Sequence, residues 1–156
     1  MRRVLIAGGI AVVAALSLTA LASSQTSAPR VLFAAALNVG QEVPHAKGTK
    51  VGAAGRFTAT VSGTTLKWTL TFSHLSGAAT AAHVHLGKRG KAGAVVIPLC
   101  GPCKSSVTGS APVTIGLLNT MKDGGAYVNV HTARNPNGEI RGQLGLSPKP
   151  STSSST

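Results

Sequence analysis

The chain has 156 residues, 43% of them apolar, with 15 Lys and Arg against 3 Asp and Glu for a formal net charge of +12. That length is enough for one domain with a modest single core. Aromatic residues are only 3% of the chain and the cations form no long block, which argues against nucleic acid as a partner despite the charge.

The N-terminus reads as an export signal. Arg2 and Arg3 precede an apolar run over residues 4–21, and Ala20-Leu21-Ala22 supplies a small-x-small cleavage pattern, so residues 1–22 are expected to be a signal peptide. A retained membrane anchor is the competing reading, and the glycines, Ser17 and Thr19 in the run count against it. No cysteine lies near the cleavage site, which excludes a lipid anchor there. The expected mature chain starts near Ser23, with a polar leader over 23–30, and no membrane association is expected after cleavage. Its destination is then the exterior: secreted, periplasmic or on the cell envelope.

From residue 31 to 146 the pattern is that of short strands. Phe57, Ala59 and Val61 alternate with polar residues; after the turn 62–65, Leu66, Trp68, Leu70 and Phe72 do the same, predicting a hairpin with one buried face. Next comes Ala82-His83-Val84-His85-Leu86-Gly87. A strand sends alternate side chains to opposite faces, so His83 and His85 share one face and Ala82, Val84 and Leu86 the other. The Gly-rich loop that follows carries Lys88, Arg89 and Lys91; it is either a solvated turn or an attraction for an anionic envelope polymer or protein partner. Residues 94–99 form another apolar run, and Cys100-Gly-Pro-Cys103 has the residues of a thioredoxin motif without the helix that would activate it. In an exported chain those two cysteines are expected to bond to each other.

Residues 107–113 predict a further strand. A helix is expected only over Ile115–Lys122, capped by Thr114, with Leu117, Leu118 and Met121 on one face and Gly124-Gly125 ending it. Tyr127-Val128-Asn129-Val130-His131 alternates again, placing Tyr127, Asn129 and His131 together, and the strand containing Ile140 carries Glu139 and Arg141 on its other side. Residues 147–156 lack apolar side chains and read as a disordered Ser/Thr/Pro tail. The fold class expected is all-β, a Greek-key β-sandwich or barrel with one short helix.

Three neutral imidazoles with an open position suit copper or zinc. His83, His85 and His131 are the candidate ligands, and the reading that competes is a metal-free polar face in which the rings bond to neighbouring side chains and backbone. Glu42 and Glu139 are candidates to orient the ring N–H groups from behind, in company with Arg141, Asn129 and Tyr127. Glu139 and Arg141 could instead pair with each other, or Arg141 with Glu42. His45 and His74 sit beside turns and read as surface residues.

Gln41-Glu42-Val43-Pro44, Ala82-His-Val-His-Leu-Gly87, Tyr127-Val-Asn-Val-His-Thr132 and Asn135-Pro-Asn-Gly-Glu-Ile-Arg-Gly-Gln-Leu144 in this order resemble the chordin-type (CHRD) domain, over about residues 33–144. The resemblance is to the single-domain secreted bacterial type, and it implies an all-β extracellular domain without an established reaction. Single-domain bacterial members lack the cysteine-rich repeats of animal chordin, so the resemblance does not carry over its binding of growth factors. The His-x-His strand also resembles part of the copper/zinc superoxide dismutase site, which uses four histidines where this chain places three. No nucleophile elbow or phosphate loop is present, and no carboxylate pair stands free of basic surroundings as glycosidic cleavage would suggest. The expected function is a non-catalytic binding module; the alternatives are a small metalloenzyme related to that dismutase and a metal-free envelope interaction module.

Overall fold

The computed structural model describes residues 29–148. The expected signal peptide, the leader up to residue 28 and the tail from 149 lie outside the described residues. Among the described residues nine strands form one sheet: β1 (Arg30–Asn38), β2 (Ala54–Ser62), β3 (Thr65–Ser73), β4 (Ala79–Leu86), β5 (Val95–Cys100), β6 (Ser106–Pro112), β7 (Ala126–Thr132), β8 (Ile140–Gln143) and β9 (Gly145–Leu146). The helix α1 spans Ile115–Lys122, as the sequence predicts, with the Thr114 hydroxyl accepting from Leu117 N.

Strand order is β5-β4-β7-β8-β1-β2-β3-β6, with β9 paired to β1. The chain therefore meanders through β1, β2 and β3, crosses to form β4 and β5, and returns to lay β6 beside β3. It then crosses again to lay β7 beside β4, and curls into a nearly closed barrel. The all-β barrel class read from the sequence is the class observed.

The β2–β3 hairpin shows how side-chain size sets the packing. Phe57 faces Leu70, Ala59 faces Trp68 and Val61 faces Leu66, and all six are buried. Trp68 is accommodated because its neighbours on both sides are small: Ala59 on β2, and Gly109 on β6. Its ring stacks with Phe57 at 6.4 Å between centroids.

The segment from β5 to β6 joins the two edges of the sheet. Cys100 and Cys103 are disulfide-bonded within it, Cys103 N donates to Ala79 O at 3.0 Å, and Phe72 N donates to Ser105 O at 3.0 Å. Pro98 lies inside β5, where the missing N–H is tolerated because β5 is an edge strand.

Strand β7 departs from the expected one-sided burial. All seven of its residues are buried, because the loops after β4 and after β7 fold over the face that carries Tyr127, Asn129 and His131. The other face, with Val128 and Val130, joins the apolar core.

The close contact at Gly109 gives a test of the packing. A Cβ there would lie 2.8 Å from Trp68 Cε2, and Trp68 is only 6% exposed, so the ring has little room to retreat. Gly109→Ala is expected to cost about 1–3 kcal/mol, as overpacking does, read as a lower urea midpoint. Adding Trp68→Leu should recover part of the loss; a neutral Gly109→Ala would show that the ring shifts freely.

Candidate metal centre

Antiparallel pairing of β4 with β7 builds the site. The register sets His83 opposite Asn129 and His85 opposite Tyr127, with His131 opposite Ala81, so His131 sits on the diagonal from His83, within reach of long side chains on the same face. Ring centroids are 4.9 Å apart for His83 and His131, 5.6 Å for His83 and His85, and 6.0 Å for His85 and His131. One ligand nitrogen from each ring lies within 4.8 Å of the other two. His85 and His131 are buried and His83 is half-buried.

Two of the three tautomers are fixed by main-chain carbonyls. His85 Nδ1 lies 2.9 Å from Gly93 O, and His131 Nδ1 lies 2.9 Å from Pro136 O. A carbonyl only accepts, so in each ring Nδ1 carries the hydrogen and Nε2 keeps its lone pair. His131 Nε2 meets His83 Nδ1 at 3.1 Å, whereas His85 Nε2 is buried without a partner among the described residues. Burial lowers the pKa of His83, with the neighbouring His85 adding to the effect. Burial likewise lowers that of His131, against the opposing bond to Pro136 O and with help from His83 and His85. Both rings therefore favour the neutral form that a metal requires.

The carboxylates stand elsewhere than the sequence reading puts them. Glu139, in the turn before β8, accepts from Ser76 N at 2.6 Å, Ser76 Oγ at 2.5 Å, Thr132 Oγ1 at 2.7 Å and Asn135 Nδ2 at 3.3 Å. Burial opposes its charge, but these bonds outweigh it and hold the carboxyl below its usual range. With those oxygens occupied, Glu139 ties the end of β7 to the segment before β4, and neither orients a histidine nor pairs with Arg141. Gly93 and Pro136 do the orienting, because the loops bring their carbonyls within reach of the rings.

Glu42 is packed against Gly138. A Cβ on that glycine, whose φ is +128°, would lie 2.5 Å from Glu42 Oε1 and 2.7 Å from Asn129 Nδ2; only glycine leaves room for both side chains. Asn129 Nδ2 donates to Asn137 O at 3.4 Å. Burial pushes the Glu42 pKa up from 4.5 to about 7, against the opposing pull of the Arg141 charge and of hydrogen bonds from Val43 N and Asn129.

Tyr127 and Arg141 complete a stack. The Tyr127 ring lies 4.9 Å from His85 at an interplanar angle of 10°, and the guanidinium carbon of Arg141 lies 3.4 Å from the Tyr127 centroid. Arg141 Nη2 donates to Lys88 O, Lys91 O and Gln143 Oε1, so the basic loop is held down by its carbonyls while Lys88, Arg89 and Lys91 remain exposed. Gln143 Nε2 reaches Gly87 O, Gly124 O and Ala126 O, each at 2.8 Å. His45 and His74 are exposed and take no part in the cluster.

The raised pKa of Glu42 sets a pH dependence. Its folded form holds a proton that the unfolded form has released between about pH 4.5 and 7, so its contribution to stability falls as pH rises through that window. Glu42→Gln stays neutral throughout. The variant is expected to gain urea midpoint relative to the parent at pH 8 over what it shows at pH 5, and an equal difference at both values would contradict the assignment.

Compared with protein-family models, residues 33–144 match the CHRD domain. No curated protein and no solved structure matches the chain.

Proposed function

The chain belongs to the CHRD-domain family, and on that footing we propose that it is an exported, non-catalytic binding module that holds one copper or zinc ion between His83, His85 and His131. The observation that carries this reading is His85 Nε2, a buried lone pair with no hydrogen-bond partner among the described residues, on a ring that clusters with two further imidazoles. Leaving such an atom unpaired costs about 1–3 kcal/mol, and a cation bound there would remove that cost. The donor set suits the ion: three neutral nitrogens, two with their outer N–H held by a carbonyl.

Bound copper or zinc would supply a Lewis-acidic centre. The protein's part is to favour the neutral form of His83 and His131, fix the tautomers of His85 and His131 and limit solvent access. A small metalloenzyme is the rival, and turnover that follows copper loading and stops on chelation would favour it. Export rests on the leader at residues 1–22, and the Cys100–Cys103 bond fits an oxidising compartment. The exposed Lys88, Arg89 and Lys91 fit an anionic envelope polymer or protein as the module's partner.

Elemental analysis of native protein is expected to find one copper or zinc per chain. His131→Ala should weaken that binding by more than the roughly 10- to 100-fold typical of losing an outer orienting group, with the circular dichroism of the sheet unchanged. A parent protein that retains neither metal after dialysis against micromolar amounts would leave the metal-free interaction module. Intact mass should correspond to a chain starting near Ser23 without acyl addition, and a full-length mass in the membrane fraction would overturn the export reading.

A further inference from the structure

Arg141 is the least economical residue of the site. Its side chain is 1% exposed, its hydrogen bonds run to the neutral acceptors Lys88 O, Lys91 O and Gln143 Oε1, and its Nη1 has no partner among the described residues. A buried cation without a bonded carboxylate is costly. Glu42 is the carboxyl whose charge acts on it, and burial holds Glu42 toward its uncharged form. The guanidinium lies flat on Tyr127, 3.4 Å from the ring centroid, and Tyr127 lies flat on His85. A full positive charge is thus held in a fixed stack against one candidate ligand, shielded from solvent.

Such a charge discriminates between ions by their valence. Three imidazoles are neutral, so a bound ion keeps its whole charge, and a neighbouring cation penalises a doubly charged ion twice as much as a singly charged one. Resting on the metal reading above, we infer that the site selects cuprous copper over cupric copper and zinc, and that Arg141 is the positioning residue that sets this preference by acting through Tyr127 and His85. At a separation on the order of 10 Å and an effective dielectric constant near 20, the discrimination due to one charge is roughly tenfold.

The experiment measures the affinities of the purified protein for Cu(I) and Cu(II) by competition with chromogenic chelators in mildly acidic buffer. It is repeated on Arg141→Met, which keeps the length and apolar stem, and on Arg141→Lys, which keeps the charge. The parent protein is expected to bind Cu(I) more tightly than Cu(II). Arg141→Met should lower the Cu(I)-to-Cu(II) affinity ratio about tenfold, equivalent to a fall of about 59 mV in midpoint potential, while Arg141→Lys stays within about threefold of the parent. Simple loosening of the site would weaken both ions and leave the ratio alone. A ratio in Arg141→Met within twofold of the parent overturns the inference and leaves the metal site standing. If neither copper ion binds the parent at one per chain, the metal reading itself fails and this inference goes with it. Should Arg141→Met not fold, the parent decides: tighter binding of Cu(II) than of Cu(I) overturns the inference.

Discussion

Because loops cover the polar face shared by β4, β7 and β8, the side chains on that face look for partners inside the protein, and in a chain with 3 acidic residues few of those partners are carboxylates. They are largely main-chain carbonyls. Gly93 and Pro136 take the histidine N–H groups, Lys88 and Lys91 take Arg141, Asn137 takes Asn129, and Gly87, Gly124 and Ala126 take Gln143. Each bond is modest by itself. Together they fasten the loops over the sheet, and the loops in turn keep water from the polar face. Without the covering loops the imidazoles would be ordinary solvated side chains of an antiparallel sheet.

The arrangement also divides the labour between the two carboxyls near the site. Glu139 is ionised and saturated with donors, so it acts as a fixed tie between the segment before β4 and the turn after β7. Glu42 lies in a drier place with fewer donors and holds its proton to about pH 7. Identical side chains thus differ in charge state because one is met by enough hydrogen-bond donors to outweigh its burial and the other is not.

Much of this was legible in the sequence wherever the signal was local. The β2–β3 hairpin follows from period-two alternation, α1 from Thr114 and the spacing of Leu117, Leu118 and Met121, and the shared face of His83 and His85 from the pleat. The approach of His131 to that pair was readable only as a conditional, since it depends on β4 lying beside β7, a pairing that sets His83 opposite Asn129, 46 residues on, and that no local pattern encodes. The partners of the rings were illegible for a different reason. A carbonyl has no side-chain identity, so Gly93 and Pro136 could be found only by tracing the loops. Glu139 misled because its chemistry fitted a role beside histidine, whereas Ser76, 63 residues away, had already claimed its oxygens. Arg141 showed its face but not its stacking on Tyr127.

The connection that spans the sheet's two edges has a bearing on how molecules of this protein meet one another. A nearly closed barrel leaves a seam, and an open seam exposes rows of main-chain donors and acceptors onto which a second chain can add as a strand. Here the β5 side of that seam contains Pro98, which has no N–H to offer, and the Cys100–Cys103 loop crosses it, with Cys103 bonded to Ala79 and Ser105 to Phe72. What remains is too interrupted to template a neighbour. A small barrel with this seam offers a second copy little free edge on which to add a strand, so crowding does not bring its edges together into fibrils.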